Sequence, residues 1–212
     1  MRAERAQPRP TPVVPLEAGA GPDNPPCPAC GEPLFGWLAE QPGLRGPVRR
    51  CESCGLGVVG VGAAAEEALR ALGAGGTEGG RIVNRASFAA SLGGAGWAGL
   101  GPGARYLFTV EAARRLLARR DQVVTRRRWA PGAGLLITWQ TLLNSVTFGH
   151  NVALAALGRG ESAKAARPWQ RRIDGLASIV LAIPALALAL PIELAGAALG
   201  RGAVISLKIE LY

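Results

Sequence analysis

A chain of 212 residues has room for one ordinary domain and a small module beside it. Its 24 Lys and Arg against 15 Asp and Glu give a formal charge of +9, which calls for an anionic neighbour such as nucleic acid or acidic lipid. Apolar residues make up 49% and aromatics 5%, which excludes an aromatic-rich core and makes the five tryptophans informative.

Residues 1–26 carry seven prolines, three arginines and three acids, with no apolar run longer than Val13-Val14. Such a stretch is no signal peptide and reads as a disordered, polyproline-like tail. The four cysteines follow as Cys27-Pro-Ala-Cys30-Gly and Cys51-Glu-Ser-Cys54-Gly, two CxxC pairs separated by 20 residues. Two residues between thiolates let one tight turn offer both sulfurs to one ion, and Gly31 and Gly55 close each knuckle in the left-handed backbone. Cys27, Cys30, Cys51 and Cys54 are therefore read as a zinc site in a ribbon over 27–57, with a disulfide pair or rubredoxin-like iron as the rivals. Four thiolates leave no open position for a substrate, so the zinc is expected to be structural. A segment this short buries too little apolar surface to fold without it.

Residues 55–80 hold nine glycines and six alanines among 26, so 58–80 reads as a linker with a weak helix at Ala64–Leu72. Gly57, Gly60 and Gly62 do not make a dinucleotide loop, because about 20 positions later such a loop needs an acid, and here Ile82 stands beside Arg81 and Asn84. Ile82-Val83 reads as a strand end, Ser87–Leu92 as a helical turn or two, and Gly93–Gly103 as a loop holding Trp97. Thr109 caps a helix over Val110–Arg120 with Glu111 in its first turn and Arg119-Arg120 in its last. Gln122–Trp129 and Ala203–Leu211 alternate as strands.

Between those strands lie two segments without Lys, Arg, Asp or Glu, Pro131–Gly158 and Gly175–Ile192. They are expected to form an apolar helical pair over 131–202 with a basic connector. The second segment is just long enough to cross a bilayer core of about 30 Å, though Pro184, Pro191 and Glu193 interrupt it. In the first, Trp139, Leu142, Leu143, Val146, Ala153 and Leu157 share a helical face, and Gln140, Asn144, Thr147 and Asn151 form an uncharged polar stripe suited to helix-to-helix hydrogen bonds. Both flanks of the first segment are basic, so the positive-inside rule places both in the cytoplasm and favours a shallow pair over a two-pass hairpin. Arg126, Arg127, Arg128, Trp129, Trp139, Trp169, Arg171 and Arg172 are the expected membrane-interface residues. A buried pair against a partner protein or a second copy is the alternative.

The stretch Arg81–Val124 resembles the C-terminal part of bacterial class I S-adenosylmethionine-dependent methyltransferases. The resemblance rests on Asn84, Ser87, Gly96-Trp97, Phe108-Thr109 and Leu116-Leu117, together with a CPxCG and CxxCGL ribbon at Cys27–Leu56. It implies that Gln122–Trp129 and Ala203–Leu211 are the last two antiparallel strands of a Rossmann-like sheet, with the apolar pair inserted between them. The methyl-donor half is missing, since 26 residues between the second knuckle and Arg81 cannot hold its strand-helix-strand units of about 30 residues each. No cofactor-binding or catalytic residue is carried over, and S-adenosylmethionine is not expected to bind. His150, in the stretch Phe148–Asn151, is read as packing or hydrogen bonding.

The fold expected is α+β: the ribbon at 27–57, a truncated methyltransferase-like remnant at 81–130 and 203–212, and the apolar pair. The function expected is non-catalytic docking or assembly at the inner face of the cell membrane, on anionic lipid or a partner protein, with homo-oligomerisation open. A methyltransferase subunit completed by another chain is the alternative. Nucleic acid is disfavoured because the ribbon nets zero charge and offers only Phe35 and Trp37 for stacking.

Overall fold

The computed structural model describes residues 24–38, 44, 46–60, 64–73, 80–159, 162 and 167–211. The expected tail lies outside these residues up to position 23, while its last residues belong to the ribbon, where Pro25 O accepts from Leu34 N.

Among the described residues the chain is α+β with two antiparallel sheets. In the first, β1 (Leu34–Leu38), β2 (Val48–Cys51) and β3 (Gly57–Val59) form a meander that puts Leu34 opposite Cys51 and Val48 opposite Val59. A fourth strand, Tyr106–Leu107 (β5), arrives from far along the chain to pair with β3. Between β3 and β5 lies α1 (Ala65–Ala71), and its Ala68 and Leu69 are buried together with Leu72. The described part of the stretch read as a linker is therefore packed structure. Alanine and leucine at helical spacing outweigh the flexibility its glycines suggest.

The second sheet runs β4 (Arg81–Val83), β7 (Val204–Leu211), β6 (Gln122–Trp129). Pairing Ile82 with Ile205 and Arg127 with Leu207 leaves Ile205, Leu207 and Ile209 buried and Lys208 and Glu210 exposed. After β4 comes the short α2 (Phe88–Gly93), capped by Ser87, and between the sheets lies α3 (Val110–Ala118), with Ala112, Ala113, Leu116 and Leu117 inward. Thr109 caps it, as its hydroxyl accepts from Ala112 N at 3.0 Å. One core thus contains Cys27, Cys51 and Cys54 from the ribbon, Leu69 from α1, Leu116 from α3 and Ile205 from β7.

The segment 131–202 departs from the two-helix expectation. Among its described residues four helices occupy it: α4 (Pro131–Asn144), α5 (Val152–Ala156), α6 (Pro168–Val180) and α7 (Ala182–Ala198). The first apolar segment breaks after Asn144, so the residues from 139 to 157 do not share one helical face. Asn151 takes a left-handed conformation at φ 58°, and the Asn144 carbonyl oxygen Oδ1 accepts Asn151 N at 2.9 Å, a local alternative to helical pairing. The second segment breaks between α6 and α7, which meet at a 62° bend. Pro184 lacks the N–H that the carbonyl of Val180, the last residue of α6, would need, so one straight helix cannot run through.

The polar stripe makes one helix-to-helix hydrogen bond, from α5 to α4, and otherwise reaches a loop. Gln140 Oε1 accepts Leu154 N at 2.7 Å, Asn144 Nδ2 donates to Gly96 O at 2.9 Å and Asn151 Nδ2 to Ala98 O at 2.9 Å. These three side chains tie α4 and α5 to the loop around the fully buried Trp97.

Candidate metal centre and apolar face

The two knuckles are built alike. Gly31 N donates to Cys27 O at 2.8 Å and Gly55 N to Cys51 O at 3.0 Å; Cys27 N donates to Glu32 O and Cys51 N to Leu56 O. Gly31 and Gly55 take φ of 83° and 74°, the left-handed backbone such turns require. At Gly55 a side chain is doubly excluded, because a Cβ there would stand 2.8 Å from Thr109 Cγ2.

The four sulfurs lie within 4.8 Å of one another, close enough to bind a metal ion. Cys27 and Cys54 are 3.6 Å apart and Cys30 and Cys51 3.4 Å, too far for a disulfide and close to the ~3.8 Å that a tetrahedral ion with bonds of about 2.3 Å imposes. All four cysteines are free thiols and three of them are buried. The Cys54 thiol holds Cys27 down to about 5, and the same contact with burial pushes Cys54 up. Burial raises Cys51. A buried set with one low thiol is primed to lose its remaining protons to a cation.

Residues from outside the ribbon grip it. The Thr109 hydroxyl donates to Cys54 O at 2.6 Å, and Arg85 Nη1 donates to Gly55 O at 3.2 Å while its guanidinium lies 4.1 Å over the Trp37 ring. Arg115 reaches from α3 to Ser53 Oγ at 2.9 Å.

The second feature is the surface of α6 and α7. In α6 only Asp174 is buried, and its carboxylate accepts Phe148 N at 2.7 Å and Gly149 N at 2.9 Å. In α7 the buried positions are Ala185, Ala189, Glu193 and Gly196. Glu193 accepts from Trp129 Nε1, Thr138 Oγ1 and Ala203 N at 2.7, 2.7 and 2.8 Å, joining β6, α4, α7 and the start of β7. The large aliphatic side chains point the other way: Ile179 is 79% and Ile183 80% exposed, and Leu176, Val180, Leu188 and Leu190 join them. Carboxylates inside and aliphatics outside invert the usual soluble-helix pattern.

Of the residues expected at a membrane interface, Arg126, Arg127 and Arg128 are exposed along β6, and Arg171 and Arg172 are exposed on the second turn of α6. Trp129 and Trp139 are half-buried, with their indole N–H groups held by Glu193 and, at 2.9 Å, by Ala182 O. Trp169 keeps an exposed ring, edge-on to Phe148 at 5.5 Å. Asp174 and Glu193 stand at the two borders of the uncharged run Gly175–Ile192, where a lone carboxylate is a signal for a buried acceptor. His150 Nε2 donates to Trp97 O at 3.1 Å, and burial lowers its pKa. Among the described residues no single helix is long and apolar enough to cross a membrane, though the bent pair α6–α7 passes by length and composition together.

Compared with known proteins, the chain matches no family model, no curated protein and no solved structure.

Proposed function

We propose that this chain is a non-catalytic docking protein: a structural zinc ribbon fused to a small antiparallel domain, seated by its α6–α7 face on the cytoplasmic surface of a membrane. The observation that carries the reading is the inversion on α6 and α7, which bury Asp174 and Glu193 and present Ile179, Ile183 and Leu188 outward. Such a surface is stable only against lipid or another apolar surface. The basic residues Arg126, Arg127, Arg128, Arg171 and Arg172 supply the charge that acidic headgroups attract. Zinc fits the ribbon because four thiolates at tetrahedral spacing favour a soft, non-redox ion closed to substrate.

Vesicle flotation tests the docking. The chain is expected to rise with liposomes, and Ile179→Glu combined with Ile183→Glu is expected to leave it at the bottom of the gradient with its zinc content unchanged. A wild-type chain that stays behind with every vesicle composition overturns the reading.

A second reading has one observation in its favour. β4 and β6 are the outer strands of the three-stranded sheet, so another chain could extend it, as a methyltransferase half carrying the methyl-donor site would. Titration calorimetry with S-adenosylmethionine separates the two, since heat with the chain alone or with a candidate partner favours the enzymatic reading.

A further inference from the structure

We infer that the cleft between β6 and the C-terminal end of α7 is a seat for the phosphate headgroup of an acidic phospholipid. The inference rests on the docking reading and adds to it a defined site with chemical selectivity. The cleft holds about 440 Å³. One wall is Arg127, Arg128 and Trp129; the other is Ala197, Ala198 and Leu199, the last turn of the apolar helix and the residue after it. A guanidinium facing an alanine wall, with a second at the rim, matches the two halves of a lipid at its interface: an anionic phosphodiester and the aliphatic backbone below it.

Three further observations point the same way. Among the described residues neither Arg127 nor Arg128 has a carboxylate within salt-bridge reach, whereas Arg105, Arg115, Arg120 and Lys208 do. Strand alternation turns Arg127 with Trp129 to one face of β6 and Arg128 with Arg126 to the other, so Arg127 is the cation inside the cleft and Arg128 stands at its edge. Arg127 Nη2 stands 3.9 Å from where a Cβ on Gly200 would be, which places that cation directly at the end of α7. From there Leu199 and Leu194, both exposed, continue the apolar surface along the helix. Guanidinium forks suit a phosphate better than ammonium groups, because they offer paired donors in one plane.

The test is flotation of the full chain with phosphatidylcholine vesicles, with and without phosphatidylglycerol. Wild type is expected to partition at least about tenfold more strongly onto the acidic vesicles. Arg127→Gln with Arg128→Gln should abolish that preference and leave binding to phosphatidylcholine intact. Arg114→Gln with Arg119→Gln removes the same charge from α3 and should lower the preference far less. Ala198→Trp, which fills the cleft without changing charge, should lower it as the paired arginine variant does. Equal losses in the two arginine pairs, or full preference in Ala198→Trp, overturn the site while docking stands. If no vesicle binds, docking fails, and titration with a soluble short-chain phosphatidylglycerol decides the cleft by itself: saturation sensitive to Arg127→Gln supports it, and no saturation overturns it.

Discussion

The sulfurs of Cys27 and Cys54 lie 3.6 Å apart and both residues sit in the common core, so their chemistry and the fold are one problem. Cys27→Ser or Cys54→Ser is expected to drop zinc from one per chain to a small fraction, read by elemental analysis, and to unfold the ribbon. Zinc affinity should fall with falling pH, because Cys51 and Cys54 must shed protons that Cys27, at about 5, has already lost; calorimetry in two buffers would show proton release on binding. At Glu193 three donors converge on one buried carboxylate, so Glu193→Ala strands an indole, a hydroxyl and a peptide N–H and should cost about 3 kcal/mol or more in chemical denaturation. Glu193→Gln keeps the acceptor at Oε1 and should cost about 1 kcal/mol. Gly134→Ala should behave like the alanine variant at 193, since a Cβ there would collide with Glu193 Oε1. His150 is held neutral by burial, with its folded pKa below the usual value near 6.5. Below that value the unfolded chain takes up a proton the folded chain refuses, so the ring's contribution falls as pH drops from about 6.5 toward the lowered folded pKa. His150→Gln should flatten that part of the profile of melting temperature against pH.

The elements of the helical segment are held by polar side chains at their breaks. Asp174 on α6 pins the peptide groups of Phe148 and Gly149 ahead of α5, and Gln140 on α4 accepts the N–H of Leu154 within α5. Asp174→Ala leaves two buried or half-buried N–H groups without an acceptor, and a loss of about 2 kcal/mol is expected. Hydrogen exchange would locate it, with the amides of Phe148 and Gly149 accelerating while those of β7 keep their protection. The outward faces of α6 and α7 contribute nothing comparable to the fold. Ile179→Glu or Ile183→Glu should therefore leave unfolding free energy within about 0.5 kcal/mol while removing vesicle binding, a separation that an ordinary core helix could not show.

At the scale of the molecule, the ribbon and the second sheet share one core and are expected to unfold together. Thr109 and Arg85 hold the second knuckle by its carbonyls, and Leu56 and Cys51 share a core with Leu116 and Leu207. With zinc bound as proposed, chelation should therefore accelerate amide exchange in β7 as well as in β2, and protection surviving at Ile205 and Leu207 would show the two to be independent. The elements readable from residue order alone are those whose signals are local. The paired knuckles, the Thr109 cap and the strands at Gln122–Trp129 and Val204–Leu211 follow from spacing, side-chain oxygen chemistry and alternation within a few residues. Tertiary structure alone decided that the weak helix after the ribbon packs into the core, that β5 completes the ribbon's sheet, and that the described residues of the apolar region form four helices with Asp174 and Glu193 turned inward. Hydropathy averages over a helix and cannot say which face is covered, because burial depends on partners brought together from distant parts of the chain.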